Sequence, residues 1–230
     1  LNLNKPSAIT SRQAVDRVKY LLKVSKAGHA GTLDPSATGV LLICLGRGTK
    51  LFDWFQRGSK EYEGTITLGV TTDSLDASGN IRSILPVSQT MQNDVREVAE
   101  RFVGEIEQTV PIFSAVRRRG KRLYKLAHRG VECEELPKRI VQITSLEILS
   151  VRQSEVRFRV VCSKGTYIRV LAADIGMALG CGAHLSQLTR TRSGHFTLDS
   201  AHTLDWLEKH VLDAYKAIVP VESVLEMGTV

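Results

Sequence analysis

Cysteine is scarce in this sequence, and the spacing of its four cysteines excludes two classes of protein. They stand far apart, at Cys44, Cys133, Cys162 and Cys181, and no two of them form a C-x-x-C pair. This spacing suits neither a zinc ribbon nor the disulfide framework of a small secreted domain. The six scattered histidines show no metal-ligand spacing either. We therefore predict reduced, mostly buried thiols and no bound metal.

Long apolar runs are also missing. No stretch approaches the ~20 apolar residues that a membrane-spanning helix needs, and the first five residues lack the basic-then-apolar order of a signal peptide. The composition, 43% hydrophobic and 24% charged over 230 residues, is typical of a globular chain that can bury a substantial core. We predict a soluble protein of the cytoplasm with one main domain.

Acidic residues are absent from one segment, residues 108–131, which we call the basic segment. Its positive charges are those of Arg117, Arg118, Arg119, Lys121, Arg122, Lys125 and Arg129. These seven charges equal the net charge of +7 of the whole chain, so the remainder is nearly neutral. Arginine dominates the segment, and Phe113 and Tyr124 flank its run of basic residues at 117–122, which suits a loop that grips phosphates and stacks on bases. The pattern favours nucleic acid as the partner, with an acidic membrane surface as the alternative.

Hydrophobic periodicity predicts a mixture of helices and strands without a regular βα repeat. Helices are predicted at residues 11–24, 92–103 and 168–180, strands at 40–45, 62–70, 141–151 and 156–162, and a loop at 72–80. A capping box at Thr10 and Gln13 marks the start of the first helix. The order indicates an α+β domain around a mixed sheet, with the basic segment as an excursion from it.

The densest group of conformationally special residues lies at residues 28–39, where three glycines and one proline accompany Asp34. Such a loop has a specified backbone shape and holds something in a fixed place. An isolated Asp-Pro is usually only a turn. However, a carboxylate in a basic chain that binds polyanions repels its ligand, so its presence needs a functional reason.

The spacing G-H-x-G-x-L-D-P-x-A-x-G over residues 28–39 resembles the signature loop of the TruB family of pseudouridine synthases. Other segments resemble further motifs of that family in the same order, from residue 2 to about residue 200. They lie at residues 4–6, 10–11, 60–62, 68–69, 114–130, 164–169, 179–185, 188–191 and 194–196. The resemblance implies the pseudouridine synthase fold, with a mixed, mainly antiparallel sheet flanked by helices.

The resemblance also implies a domain organisation. Residues 1–230 correspond to the catalytic domain, and residues 108–131 correspond to the insertion that clasps the T-arm of tRNA. Bacterial relatives commonly continue into a C-terminal RNA-binding module of PUA type, and only about 30 residues follow the last motif here. We expect that module to be absent or truncated.

Three residues take catalytic roles by resemblance. Asp34 corresponds to the catalytic carboxylate, which attacks either C1' of the ribose or C6 of the uracil of uridine 55 in the T-loop. Arg169 corresponds to its ion-pair partner, and Tyr62 to the residue against the uracil face that assists proton removal. Without the resemblance, Arg169 could equally be a structural or phosphate-contact arginine, and Tyr62 a core aromatic of a strand. No cofactor or metal is implied.

Other residues take substrate-binding roles by the same resemblance. Tyr167 and Leu188 complete the pocket walls, His29 fills the space left by a flipped base, and Lys50 supports the loop or a phosphate. Leu188 could instead be a core residue and His29 an ordinary loop histidine. The predicted partner is the T-stem-loop of tRNA, with no protein partner and a monomeric enzyme.

Three other functions stay open at this point. The first is a catalytically silent RNA-binding or RNA-folding factor on the same scaffold, which has little use for Asp34. The second is a guide-RNA-dependent pseudouridine synthase, against which the basic segment argues. The third is a metal-dependent nuclease, for which paired carboxylates near Asp34 are expected, and the loop has none.

Overall fold

The computed structural model of the chain describes residues 1–114, 116–118, 121–123 and 136–228, with the backbone alone at residues 117, 118, 121 and 122. The chain divides into two compact units: residues 1–63 with 188–230, and residues 64–187. Where the sequence predicts one catalytic domain, the structure thus gathers the two ends of the chain into one unit and the middle into another. The domain assignment itself stays a prediction.

The secondary structure alternates between strands and helices without a fixed repeat. The strands are β1 (Asn2–Lys5), β2 (Ala27–Ala30), β3 (Thr38–Leu45), β4 (Lys60–Leu68), β5 (Val70–Thr72), β6 (Ile81–Ile84), β7 (Gly104–Thr109), β8 (Arg117–Arg118), β9 (Lys121–Arg122), β10 (Lys138–Arg152), β11 (Glu155–Cys162), β12 (Ala183–Ser193), β13 (Phe196–Thr197) and β14 (His202–Thr203). The helices are α1 (Ser11–Leu21), α2 (Phe52–Arg57), α3 (Gln89–Glu100), α4 (Ile168–Ala178), α5 (Leu204–Lys209), α6 (Val211–Lys216) and α7 (Val221–Glu226), with 3₁₀ turns at Gly46–Leu51 and Leu198–Ser200. The predicted α+β class is confirmed.

Strand β3 is central to the first unit, because six of its eight residues are buried. It pairs antiparallel with β1 and with β2, where Gly28 lies opposite Cys44, and parallel with β12, where Arg190 lies opposite Gly39. Strand β14 pairs parallel with β1. Residues 31–37 connect β2 to β3, so both ends of this loop are anchored in neighbouring strands.

Helix α1 begins where the sequence predicts and ends earlier, at Leu21 rather than at residue 24. The capping box is present: the Thr10 side chain accepts from the Gln13 amide, and the Gln13 side chain accepts from the Thr10 amide at 2.8 Å. The apolar stripe of Ala14, Val15 and Val18 is buried. The helix stops because the backbone turns left-handed at Lys23, with φ +47°.

Strands β7, β10 and β11 form an antiparallel ribbon in the second unit, with β10 in the middle. Helix α3 packs against β10 and α4. The apolar side chains buried in this unit include Val95, Val98, Ala99, Phe158, Val160, Leu171 and Ile175. The predicted strands at 141–151 and 156–162 and the predicted helix at 168–180 are confirmed, with small differences in their ends.

The predicted strand at residues 62–70 is two strands. Strand β4 ends at Leu68 and β5 begins at Val70, since Gly69 between them has a positive φ of +81°. A Cβ at Gly69 would lie 2.6 Å from the carbonyl oxygen of Leu85, so the backbone segments at these two residues approach closely. The predicted loop follows β5 and extends to Asn80.

Helix α3 begins and ends three residues earlier than the predicted range of 92–103. Ser88 caps it, because its hydroxyl accepts a hydrogen bond from the Met91 amide at 3.2 Å. Gly104, which begins β7, has a positive φ of +112°. The polar N-cap, which the periodicity of apolar residues does not register, therefore sets the start of this helix.

The basic segment is described only in part. Its backbone forms a short hairpin in which β8 and β9 pair antiparallel, with Arg117 opposite Arg122 and Arg118 opposite Lys121. This hairpin is a two-stranded sheet of its own, consistent with the predicted excursion. Arg119, Lys125 and Arg129 lie outside the described residues, as does Cys133. The other cysteines, Cys44, Cys162 and Cys181, are buried, as predicted.

Candidate active site

Asp34 lies half-buried in the loop between β2 and β3. Its carbonyl accepts a hydrogen bond from the Ala37 amide at 3.1 Å, which closes a turn directly after it. The residue before it, Leu33, is held on both sides by Ser11, whose hydroxyl donates to the Leu33 carbonyl and accepts from the Leu33 amide, each at 2.9 Å. The loop backbone is therefore fixed immediately on either side of the carboxylate.

Lys5 holds the residue that follows the carboxylate. Its fully buried ammonium donates to the carbonyls of Pro6 and Ile9 at 2.8 Å and of Pro35 at 3.2 Å. Burial lowers the pKa of Lys5 to about 8; the Asp34 charge opposes this shift, and the Arg190 charge adds to it. At pH 7 the Lys5 side chain is still mainly protonated, so its positive charge acts on Asp34. The ammonium of Lys5 has a carbonyl acceptor for each of its three N–H groups.

Arg190, on β12, is a second buried cation in the same unit, with 1% of its surface exposed. Its Nε donates to the Val40 carbonyl at 2.7 Å, and one terminal nitrogen donates to the Gly31 carbonyl at 3.0 Å. A Cβ at Gly39 would lie 2.2 Å from the Arg190 carbonyl oxygen, and Gly39 has a φ of +99°. The glycine at that motif position is therefore required by the close approach of β12 as well as by its own backbone.

Tyr62 lies near the start of β4, as predicted, and is almost fully buried. The Arg190 guanidinium carbon lies 6.0 Å from the centroid of its ring, within the range of a cation–π contact. The ring is thus held beside the side chain that also bonds the Asp34 loop.

His29, Lys50 and Leu188 also belong to the first unit. The buried Nδ1 of His29 has no hydrogen-bond partner among the described residues. Burial lowers the pKa of His29, and the charges of Arg190 and Arg12 lower it further, so the ring is neutral at pH 7. Lys50 is exposed on the 3₁₀ turn, and Leu188 is half-buried on β12.

Arg169 lies in the first turn of α4 in the second unit and is 5% exposed. Its guanidinium donates to the carbonyls of Ser74 at 2.8 Å and Phe113 at 3.0 Å, and its Nε lies 3.7 Å from a carboxylate oxygen of Asp76. Asp76 in turn accepts from the Ser74 hydroxyl at 2.7 Å and the Ser78 amide at 3.0 Å. These bonds restrict Arg169 to one orientation.

Tyr167, the N-cap residue of α4, is held through its backbone. Its amide donates to the side chain of Gln108 at 2.9 Å, and its carbonyl accepts from the same side chain at 3.2 Å. The guanidinium carbon of Arg139 lies 5.8 Å from the centroid of the Tyr167 ring. Buried Gln108, at the start of the basic segment, therefore links that segment to the helix that carries Arg169.

The structure brings some predicted site residues together and shows others that the sequence pattern did not single out. Arg190 connects the Asp34 loop with Tyr62, and α4 carries both Tyr167 and Arg169. The predicted pairing of Arg169 with Asp34 stays a prediction, and the side chains of the basic segment's arginines and lysines lie outside the described ones. The residues without an assigned role were Lys5, Asp76 and Arg190. Lys5 and Arg190 lie on strands and Asp76 lies in the loop after β5, which are positions where exposed charged residues are also common.

Neither a metal site nor a membrane span is found in the described part of the chain. No three His, Cys, Asp or Glu side chains within residues 1–114, 116–118, 121–123 and 136–228 lie close enough together to hold a metal ion. None of the helices described there has the length and apolar character to cross a membrane.

The fold and the loop first define a class: an α+β protein in which two buried cations bond the backbone of a loop that carries an aspartate. A family model described as TruB family pseudouridylate synthase (N terminal domain) matches residues 19–168. A second model, described as tRNA pseudouridylate synthase B C-terminal domain, matches residues 169–226. The chain belongs to the TruB family of pseudouridylate synthases, and the predicted resemblance is confirmed.

Individual relatives agree with this family. A protein of Geobacillus kaustophilus named tRNA pseudouridine synthase B is 44% identical over 98% of this chain and 82% of its own length. A solved Cbf5–Nop10–Gar1 complex contains a chain that is 33% identical, with a TM-score of 0.76 over 99% of this chain and 61% of that one. An H/ACA RNP bound to a substrate RNA containing 2'-deoxyuridine gives 30% identity and a TM-score of 0.69 over 96% of this chain and 56% of that one. This chain therefore spans less than two thirds of the length of those two chains. The two TM-scores confirm the predicted pseudouridine synthase fold.

Proposed function

We propose that this protein isomerises a uridine of tRNA to pseudouridine, at uridine 55 of the T-loop. The observation that carries the proposal is the fixed Asp34 loop, in which Leu33 is bonded by Ser11 and Pro35 by Lys5. A carboxylate held in this way suits a nucleophile, because a reaction with carbon depends on the placement of the attacking oxygen. The relative from Geobacillus kaustophilus, which matches almost the whole chain, supports tRNA as the substrate.

Asp34 acts as the nucleophile in this proposal, by either of two routes. In one route its oxygen bonds to C1' of the ribose, and in the other to C6 of the uracil. In both, the N1–C1' bond breaks and the base turns so that C5 bonds to C1'. In the first route C5 displaces Asp34 from C1', and in the second Asp34 leaves C6 after C5 has bonded to C1'. C5 then loses its proton and N1 gains one. Tyr62 assists that proton removal. The product is an isomer of the substrate, so the reaction consumes no oxidant, reductant or cofactor.

Substrate binding requires the uridine to leave its stack, which costs a few kcal/mol. His29 fills the space left by the base, and Tyr167 and Leu188 form walls of the pocket. Phosphate contacts by Lys50 and the basic segment offset the cost of flipping. The neutral ring of His29 suits this role, since an uncharged ring stacks between bases without holding a phosphate.

The enzyme acts in the cytoplasm as a monomer without a protein partner in this proposal. The contrast with the Cbf5–Nop10–Gar1 complex makes this testable, because that assembly is a complex of three different proteins. Sedimentation of the purified chain with and without tRNA measures the stoichiometry directly. Turnover that depends on a dimer would contradict the monomer.

The experiment that tests the function is a single turnover of unmodified tRNA by wild type and Asp34→Asn, with mapping of the pseudouridine formed. Wild type is expected to convert uridine 55, and Asp34→Asn is expected to bind the same tRNA and form no product. Asp53→Asn is the matched control, because Asp53 is an exposed aspartate of the same unit, on α2. Substantial turnover by Asp34→Asn would overturn the assignment of the nucleophile.

A guide-RNA-dependent synthase is the second candidate, favoured by the similarity to the H/ACA RNP. The same assay separates the two, because a guide-dependent enzyme leaves tRNA unmodified when no guide RNA is added. A catalytically silent RNA-binding factor would bind tRNA without product under every condition.

A further inference from the structure

One side chain joins the two ends of the segment that carries Asp34. Gly31 precedes Asp34 in the loop, Val40 follows it on β3, and both carbonyls accept hydrogen bonds from the guanidinium of Arg190. The donor lies 150 residues or more away in sequence from either acceptor. Ser11 and Lys5 hold single points of the segment, whereas Arg190 bonds to both of its ends.

We propose that Arg190 is a positioning residue for the reaction, which fixes the Asp34 segment relative to the ring of Tyr62. The inference rests on the proposed function, because it assigns Arg190 a part in placing that function's nucleophile. Arg190 acts through Asp34 and Tyr62 and touches no substrate atom itself.

The shape of a guanidinium explains why arginine is needed. Nε and a terminal nitrogen are held in one plane, so two bonds to two carbonyls set both the distance between the acceptors and the direction of the group. A lysine ammonium can also donate to several carbonyls, as Lys5 does to three, but its donors rotate on a flexible stem and fix neither a plane nor the separation of two acceptors. Two defined bonds therefore restrict the loop more than the charge alone does.

The packing around Arg190 leaves the loop little room to move independently. A Cβ at Gly31 would lie 3.4 Å from a terminal guanidinium nitrogen, and a Cβ at Gly39 would overlap the Arg190 backbone. The same guanidinium lies over the Tyr62 ring. A displacement of the Arg190 side chain is therefore transmitted to the loop on one side and to the ring on the other.

Arg190 also contributes to the electrostatics of this region. Its charge lowers the pKa of His29 and of Lys5, although burial is the larger cause for both. This effect on the pKa of His29 depends on a cation at position 190, whether or not the geometry of the guanidinium is kept. The titration of His29 therefore separates loss of the Arg190 charge from loss of its two-bond geometry.

The test compares Arg190→Lys with Arg192→Lys, at a temperature where both are folded by circular dichroism. Arg192 is the matched control, because it lies on the same strand and bonds the Ser59 hydroxyl at 3.1 Å. Arg190→Lys is expected to reduce the single-turnover rate at saturating tRNA by about a hundredfold, with tRNA affinity unchanged. Arg192→Lys is expected to keep the wild-type rate. An equal rate for Arg190→Lys and wild type overturns the proposal.

Titration of His29 by NMR gives an independent readout. Arg190→Met removes the charge and is expected to raise the pKa of His29, whereas Arg190→Lys keeps the pKa lowered while the rate is lost. That combination separates the geometry of the guanidinium from its charge. If the single-turnover rate is lost in Arg190→Met and restored in Arg190→Lys, the rate depends on the charge alone. That result would contradict a role for the two-bond geometry.

A second pair of variants keeps the test usable if position 190 does not tolerate change. Gly31→Ala puts a methyl group against the guanidinium, whereas Gly46→Ala imposes a left-handed alanine where nothing lies within 4 Å of the new Cβ. We expect Gly31→Ala to slow turnover far more than Gly46→Ala; equal rates overturn the proposal. An inactive wild type contradicts the proposed function instead, so the two failures are distinguishable.

Discussion

At the scale of single residues, the first unit satisfies two buried cations with backbone carbonyls. Lys5 donates to three carbonyls and Arg190 to two. A carbonyl is a neutral dipole, so these bonds satisfy the donors without cancelling their charge. Positive potential is therefore left for a nearby carboxylate, that of Asp34, which the pKa of Lys5 registers.

Asp34 and Arg169 are expected to serve the same catalytic step. Asp34→Asn removes the nucleophile, and Arg169→Met removes a guanidinium that the fold holds in a single orientation. The double variant is expected to be barely slower than either single one in single-turnover assays, because groups that serve the same step are not additive. Multiplied effects would show that the two residues serve different steps.

The Arg169 variant requires a measurement of stability beside that of rate. Removing one partner of a buried ion pair costs about 3–5 kcal/mol, and Asp76 loses its cation in Arg169→Met. Urea unfolding of the variant establishes that the assay contains folded protein. Full activity of folded Arg169→Met would reduce Arg169 to a structural role.

Lys5 predicts a dependence of stability on pH with a defined sign. Its pKa is lowered from 10.5 to about 8 in the folded protein, so between these values the unfolded chain binds more protons than the folded chain. The contribution of Lys5 to the free energy of unfolding therefore increases as the pH rises from about 8 to about 10.5. Lys5→Met lacks this gain, so we expect it to be more destabilised relative to wild type at pH 9.5 than at pH 7.5.

Urea unfolding of wild type and Lys5→Met at the two pH values measures this difference. Lys26→Met serves as the control, because Lys26 is exposed in the same unit. A destabilisation by Lys5→Met that is identical at both values would mean that Lys5 titrates as a solvated lysine does.

Part of the candidate site could be predicted from residues close together in the sequence, and the rest depends on contacts between residues far apart in it. Glycine spacing around Asp34 predicted a rigid loop, and the alternation around Tyr62 predicted its strand, because both depend on neighbours in sequence. Arg190 could not be predicted in this way, since its partners Gly31 and Val40 are distant in sequence. A strand arginine looks the same in a sequence whether it bonds two buried carbonyls or faces solvent.

At the scale of elements, apolar periodicity predicted which segments form helices and strands, and polar or glycine residues set their ends. Ser88 moved the start of α3, and Lys23 ended α1. Gly69 divided one predicted strand into β4 and β5. These errors share a cause: a cap or a left-handed residue changes the backbone without changing the apolar pattern.

We expect the hairpin of β8 and β9 to contribute to the affinity for tRNA. Changing Arg117, Arg118 and Arg119 to Ala is expected to weaken tRNA binding, because these residues supply part of a segment without acidic residues. The slope of log affinity against log salt is expected to flatten by roughly 0.7 to 0.9 per lost phosphate contact. Filter binding over a range of salt concentrations measures it.

The rate of the chemical step serves as the control for this triple variant. The single-turnover rate at saturating tRNA is expected to change little, because the hairpin lies far in sequence from the Asp34 loop. Triple substitution at Arg12, Arg17 and Lys23, which are exposed on or just after α1, provides a comparison of equal charge. A salt slope unchanged by the hairpin substitutions would remove the hairpin from the binding surface.

At the scale of the whole molecule, the first unit is made from both ends of the chain and the second from its middle. Strand β3 therefore has β1 and β2 as early neighbours in sequence, while β12 follows only after the whole second unit. During synthesis the chain emerges from its N-terminus. The Asp34 loop thus leaves the ribosome long before Arg190 does, and until then the Gly31 and Val40 carbonyls lack their guanidinium. A nascent chain that ends before β12 has the bonds of Ser11 and Lys5 to the loop but lacks those of Arg190, so under the proposed role of Arg190 the loop is fully positioned only after β12 has been made.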